Sequence, residues 1–497
     1  TVSNLRKSHL GIYGYEKDTT PNIDRFFKDS LVFENAFSPS AVTIANATSL
    51  FYSVFPYTHK LMNQGRELPS RAKRNLTERR SFTEALRMNG YTTAAFVGDE
   101  EYKFENGIEN GFKLYLDAAK YRDYGIRAGS GRKHVGATEL VDPALQWLDE
   151  NAQKKFFMFL QVFDMRCPFQ SEDEFQKKFT QPYGGKIDFT DCYVTPTAAT
   201  PQTKNGKQVW PLESWGPQVK NQSKSYDFDE QAVAHLKGLY DAALAQTDAR
   251  LDRLFKKIEE LKLEKNTVVI FLSDNGEYLG ESGFFGQAST SADGSLHNEN
   301  LNFPLMIKHP KVSEKKVLSQ IVQTVDIGPT VLELLDVGSS RFKQVDGKTL
   351  LSAMAQGKEV NKVAFSGARR RGDNRSVYQV ESAQDSKWKL TYEYKTWFEA
   401  GQRAKISYKF IDLQADPNEL QDVKEKHPEK AQEFLNHLIQ FRTQFSEKAE
   451  KTEEGGGGRT ARNASRSKKR AEKAQSREKR KRNNSMDMGM GAAEDQE

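Results

Sequence analysis

Thr267-Val-Val-Ile-Phe-Leu-Ser-Asp-Asn-Gly-Glu277 is the stretch on which the fold class turns. Its first half is a short unbroken apolar run without polar alternation, the pattern of a strand covered on both faces in a parallel sheet. Before it, Asp229 to Leu261 reads as a long amphipathic helix, with Ala232, Leu236, Leu239, Ala243, Leu251, Leu254 and Ile258 on one face. A helix feeding a buried strand is the repeating unit of an α/β domain. Ser273–Glu277 then falls where the chain leaves the sheet, and open α/β sheets bind ligands beyond the carboxyl ends of their strands. Asp274 and Asn275 offer hard oxygen donors suited to Ca²⁺ or Mg²⁺. The same residue types also make ordinary turns, so this segment alone leaves both readings open.

The alternation continues on either side. Phe82–Asn89 predicts a helix before the strand Tyr91–Val97, and Pro143–Asn151 a helix before the buried strand Phe156–Phe163. Phe303–Ile307 is a further strand. After about Ser339 the helices drop out. Val363–Ser366, Ser376–Glu381, Trp388–Tyr394 and Ile406–Leu413 read as short strands, followed by a helix from about Pro428 to Phe445. The expected organisation is an α/β domain over 1–338, a small α+β subdomain with an antiparallel sheet over 339–447, and a disordered basic tail over 448–497.

The tail opens on Gly455-Gly-Gly-Gly458, a flexible linker composition. Residues 455–497 hold twelve Lys/Arg against six Asp/Glu, so the whole net charge of +6 sits there and the body is neutral. Arg459–Arg482 has too little apolar surface to fold; it reads as a solvated tail, with polyanion contact as the functional alternative. No nucleic-acid motif accompanies it.

Composition excludes several classes. Of the 497 residues, 37% are hydrophobic and 29% charged, ordinary for a globular protein. No apolar run approaches the roughly 18 residues of a membrane helix. The opening Thr1-Val-Ser-Asn-Leu-Arg6 holds no signal peptide, although a targeting segment upstream remains compatible with it. Two cysteines, Cys167 and Cys192, exclude a disulfide scaffold; one bridge and two thiols both fit. The eight histidines show no metal-binding spacing.

Several further motifs occur in order along the chain. They are Leu10-Gly-Ile-Tyr-Gly-Tyr15, Thr19-Thr-Pro-Asn-Ile-Asp24, Leu31-Val-Phe-Glu-Asn-Ala-Phe37, Asn298–Leu305, Thr324–Leu335 with Asp346-Gly-Lys-Thr-Leu350, and Ile411–Leu420. Together with Phe271–Glu277 they resemble the sulfatase branch of the alkaline-phosphatase-like hydrolases over roughly residues 1–445. The resemblance implies a large, mixed, mostly parallel sheet flanked by helices. It also implies a divalent metal, Ca²⁺ being the usual one, and attack on a sulfate or phosphate ester by an oxygen nucleophile. An extracytoplasmic location, whether periplasmic, secreted or membrane-anchored, is common in that family.

Against the family pattern the centre has drifted. The Cys/Ser-x-Pro-x-Arg motif falls on Thr43-Ile-Ala-Asn-Ala47, which puts Thr43 at the nucleophile, Ala45 for the Pro and Ala47 for the Arg. A threonine does not yield formylglycine. Ser3 and Asn4 stand where the family carries an Asp ligand, Arg166 stands for a sulfate-binding His, and Gly98-Asp-Glu-Glu101 replaces a Lys-bearing segment. Arg166 keeps an anion-binding fork but donates no proton. His297 takes a position near the ester. The resemblance therefore implies a hydrolase of sulfuric or phosphoric esters with Thr43, His297 and Arg166 at the ester. Asp274, Asn275, Ser3 and Asn4 would surround a metal that is weakly held or absent. Two alternatives are a pseudoenzyme binding an anionic glycan or other polyanion, and a threonine-nucleophile phosphodiesterase or phosphotransferase.

Overall fold

The computed structural model describes residues 1–62, 79–103, 106–118, 135–185, 224–281, 296–338, 344–371, 376–397 and 404–455, together with 76, 189, 194–196, 202–204, 207–214, 285–286 and 342. The polyanion-contact segment 459–482 and Cys192 lie outside them. Residues 1–438 form one compact unit and 439–497 a second.

The helices used below are α1 (Pro21–Phe26), α2 (Thr43–Tyr52), α3 (Phe82–Met88), α4 (Ala137–Asn151), α5 (Glu230–Glu260), α6 (Asn298–Leu301), α7 (Ile327–Leu334) and α8 (Pro428–Gly455). The strands are β1 (Leu31–Phe37), β2 (Thr92–Val97), β3 (Leu114–Leu116), β4 (Phe156–Gln161), β5 (Val269–Leu272), β6 (Leu305–Lys308), β7 (Lys316–Gln323), β8 (Ala364–Arg371), β9 (Ser376–Gln384), β10 (Trp388–Trp397) and β11 (Lys405–Asp412).

One half of the main sheet runs β7-β1-β6-β5, and the other runs β3-β2-β4. Pairing is parallel for β1 with β7 and for β2 with both neighbours, whereas β6 is antiparallel to β1 and β5. Thr1–Ser3 joins the halves. Val162 N–H donates to Thr1 O and Ser3 N–H to Val162 O, both at 3.0 Å, while Val2 N–H donates to Leu272 O at 3.1 Å.

The expected period of two is visible in the burial. Val32, Ala94, Phe96, Phe271 and Met306 enter one core with α4 and α5. Their strand neighbours Leu31, Phe33, Ala95, Val97, Leu272, Leu305 and Ile307 enter the other with α2, α3 and α7. Side chains alternate across a strand, so apolar neighbours need cover on both faces. All seven apolar residues predicted for the face of α5 lie in the first core. Asp229 caps that helix by accepting from Ala232 N–H at 2.9 Å.

Beyond residue 363 the chain forms an antiparallel meander, β8-β9-β10-β11. Its apolar face, with Ala383, Leu390 and Phe410, is covered by Ala431, Phe434 and Leu438 of α8. The helix expected to stop near Phe445 continues to Gly455.

His59 shows what burial does to a titrating group. Leu61 N–H donates to its Nδ1 at 3.1 Å, so that nitrogen carries no proton, and its Nε2 faces Ser49 Oγ at 3.1 Å. Burial pushes its pKa down to about 3. The unfolded chain then binds a proton that the folded chain refuses. The neutral ring's contribution is complete above pH 6.5 and is lost as pH falls toward 3. Between pH 6.5 and 5 this one group should cost about 2 kcal/mol of stability. Urea melts at the two pH values should show His59→Gln lacking that increment; equal slopes would remove His59 as the cause.

Candidate functional site

Six sequence segments meet at the carboxyl ends of β1, β2, β4, β5 and the Thr1–Ser3 segment. Parallel strands place their following loops on the same edge, and this is why residues far apart in sequence converge.

Asp274 is the centre of the arrangement. Ser3 Oγ donates to its Oδ2 at 2.9 Å, Tyr102 OH to the same oxygen at 3.2 Å, and Asn4 N–H to its Oδ1 at 3.3 Å. Gln161, at the end of β4, donates to Ser3 Oγ at 2.7 Å and accepts from the N–H groups of Gly98 and Asp99 at 2.8 and 3.0 Å. Asn46 Nδ2 donates to the carbonyl of Asp274 and to Asn275 Oδ1, each at 3.0 Å. Ser3, Asn4, Asp274 and Asn275 are thus brought into one buried hydrogen-bonded array.

Thr43 is the first residue of α2 and is buried. One helical turn further on, Asn46 makes the contacts to Asp274 and Asn275, and so fixes the start of the helix against the centre. A helix N-terminus favours negative charge, and here Glu101 supplies it: its Oε2 accepts from Ile44 N–H at 2.9 Å. Arg166 lies with its guanidinium 5.4 Å from the centre of the Phe163 ring, and its charge pulls on both Asp99 and Glu277. His297 caps α6, a turn before Asn300, whose carbonyl accepts from Gly276 N–H at 2.9 Å. No direct contact links His297 or Arg166 to Asp274 among the hydrogen bonds described.

The carboxyl groups here are held protonated more readily than in water. Burial raises Asp99 well above the usual range, with Glu101 adding to the shift and Arg166 opposing it. Burial lifts Glu277 to about 8, with Arg166 and Arg6 opposing. Asp274 is also raised by burial, while the donors on Ser3, Asn4 and Tyr102 hold it back.

Asp99, Glu101, Tyr102, Gln161, Asn46 and Glu277 escaped the sequence reading as members of the site. Glu277 lies two residues after Asn275 and Asn46 lies inside the nucleophile motif, so both were within reach of it. Gln161 was not, because a glutamine ending an apolar strand carries no distinguishing spacing.

Sulfatases generally use a divalent metal, typically Ca²⁺, and the residues present do not fit one. A Ca²⁺ ion takes six to eight oxygen ligands with substantial carboxylate charge. Asp274 is the one carboxylate in the predicted set of four, and both of its oxygens accept protein hydrogen bonds. Among the described residues no group of three or more His, Cys, Asp or Glu is placed to hold a metal. Ser3→Asp would return a charged ligand at Asp274. Calorimetric titration with Ca²⁺ should show at least tenfold tighter binding than the unaltered chain, and equal affinity would place Ser3 outside any cation's reach.

Comparison with known proteins agrees with this architecture. The sulfatase family pattern matches residues 3–337, and the pattern described as N-sulphoglucosamine sulphohydrolase, C-terminal, matches 280–444. The chain belongs to the sulfatase family. It is 24% identical over 437 residues to arylsulfatase K of Xenopus laevis, covering 84% of this chain and 77% of that protein. Among solved structures it resembles the phosphonate monoester hydrolase of Agrobacterium radiobacter, with a TM-score of 0.64, 16% identity, and coverage of 89% and 95%. It resembles equally the protein BT4656 in complex with its substrate D-glucosamine-2-N,6-O-disulfate, with a TM-score of 0.64, 16% identity, and coverage of 90% and 97%. These structural likenesses concern the fold.

Proposed function

We propose that this chain is a sulfatase-family ester hydrolase whose centre engages a sulfate or phosphate ester carried on a glycan. The observation that carries the reading is the buried Thr43 at the start of α2, whose first turn Asn46 ties to Asp274 and Asn275. Thr43 is the nucleophile in this reading. Its Oγ1 gives up its proton and forms the new bond to sulfur or phosphorus, the ester S–O or P–O bond breaks, the alcohol oxygen leaves with the electron pair and takes up the proton, and water then splits the Oγ1 ester, restoring the hydroxyl and releasing the anion. Arg166 binds the ester oxygens as a fixed cation, and His297 borders them. BT4656 supplies the glycan class, since its substrate is a sulfated glucosamine. Cys167 is disulfide-bonded, which supports an oxidising, extracytoplasmic location. No helix among the described residues is long and apolar enough to cross a membrane.

A second reading is recognition of the anionic glycan without turnover. It is favoured by the protein hydrogen bonds on both oxygens of Asp274, together with Ala45 and Ala47 at the positions of a Pro and an activating Arg. The test is hydrolysis of aryl sulfate and aryl phosphate by the chain and by Thr43→Ala, alongside equilibrium binding of a sulfated disaccharide. Hydrolysis by Thr43 should favour the phosphate ester and fall at least a hundredfold in Thr43→Ala. Binding with no hydrolysis of either ester would establish the second reading. Hydrolysis of aryl sulfate that survives Thr43→Ala would overturn the assignment of the nucleophile.

A further inference from the structure

The loops after β2, β4 and β5 each bring one charged side chain to the Asp274 centre: Asp99, Arg166 and Glu277. β4 pairs with β2 on one side and meets β5 across Thr1–Ser3 on the other, so the loop with Arg166 stands between the two that carry the acids. Its charge acts on both carboxyl groups.

Neither acid is fully answered by the protein. Asp99 is 1% exposed; its Oδ1 accepts from Glu101 N–H at 2.9 Å, and its Oδ2 has no hydrogen-bond partner among the described residues. Glu277 is also 1% exposed, and its Oε2 has none either. Buried polar atoms are nearly always paired, because an orphan keeps the full cost of leaving water. Arg166 forms no hydrogen bond or ion pair among the described residues and rests against the ring of Phe163.

The neighbouring charges are already committed. Asp274 is held by Ser3, Tyr102 and Asn4, and Glu101 accepts from Ile44 N–H. Arg6, the other cation acting on Glu277, is 2.7 Å from Glu281. Charge then selects the ligand. A plain ester anion would engage Arg166, the cation that offsets both acids, and leave Asp99 and Glu277 facing added negative charge. A ligand that also carries an ammonium brings positive charge and three N–H donors, which is what two orphaned carboxyl oxygens need.

We propose that the centre takes zwitterionic esters: the sulfate or phosphate group sits on Arg166, and an ammonium of the same ligand donates to Asp99 Oδ2 and Glu277 Oε2. This rests on the ester reading above and narrows it to alcohols that carry a free amine, whether an amino sugar or an aminoalkyl alcohol. An acylated nitrogen carries no charge and offers a single N–H, so N-acetylation removes the gain. Asp99 and Glu277 are thus specificity-determining residues, and neither takes part in breaking the ester bond.

Calorimetric titration of the unaltered chain compares 2-aminoethyl sulfate with ethyl sulfate, and glucosamine 6-sulfate with its N-acetyl form. Sulfates suit the titration because the Thr43 hydroxyl should turn them over less readily than phosphates. The free amine should tighten binding at least tenfold in one pair or both, and the pair with the larger gain names the source of the amine. In Asp99→Asn and in Glu277→Gln, which keep the shape and remove the charge, that gain should shrink at least threefold while the amine-free ester binds no worse. Equal affinity within both pairs would overturn this proposal and leave the ester reading standing. A gain undiminished in both variants would overturn the assignment to Asp99 and Glu277. Failure to bind any of the four sulfates, in a chain that also hydrolyses neither aryl ester, would overturn both readings together.

Discussion

Lys389→Met should cost about 3–5 kcal/mol of stability, because it leaves one member of a fully desolvated ion pair alone. Lys389, on β10, has 0% of its side chain exposed, and Glu419 has 2%, with 2.8 Å between Nζ and Oε1. Burial pushes the ammonium pKa down and the carboxyl pKa up, and each is offset by its partner. The pair has a second task. Lys389 Nζ also donates to Leu296 O and to Asn298 Oδ1, while Glu419 Oε1 accepts from Asn298 N–H at 2.8 Å. β10 and the loop after β11 thereby grip the residues on either side of His297. Urea melts would measure the loss, and the double variant Lys389→Met with Glu419→Leu should recover most of it, since a matched apolar pair needs no desolvation of charge. A loss under about 1 kcal/mol in the single variant would mean that Glu419 finds water or another cation.

Gly276→Ala should be nearly as damaging, for a steric reason. A Cβ built on Gly276 would stand 1.9 Å from Glu299 O and 2.9 Å from its carbonyl carbon. Both atoms are backbone, so no rotamer relieves the collision, and the neighbouring bond from Gly276 N–H to Asn300 O would open with it. Overpacking costs about 1–3 kcal/mol, and a collision with backbone belongs at the upper end of that range. It should also separate the Asp274 loop from α6. Gly338→Ala is the control, with nothing within 4 Å of its Cβ. A melt showing the two variants equally stable would refute the close approach.

How much of this was legible beforehand depends on the interaction responsible. The strands and α5 were readable because burial imposes a period on the chain, and the face of α5 entered the core residue for residue. Asp274 and Asn275 were readable because a polar cluster directly after an apolar strand has one place to go, the sheet's carboxyl edge. Gln161 and Tyr102 were not, since their roles arise only when β2, β4 and β5 lie side by side.

The sequence by itself determined the family, the order of elements, and the chemical types at Thr43, Ser3 and Asp274, because these are written in local pattern and residue identity. Tertiary structure decided that Asp274 is answered by hydrogen-bond donors and that Glu101 occupies the start of α2. It also decided that Lys389 reaches across to the segment around His297. Each of these is a contact across many residues of chain, whose energy depends on distance and burial, quantities that a linear sequence does not contain.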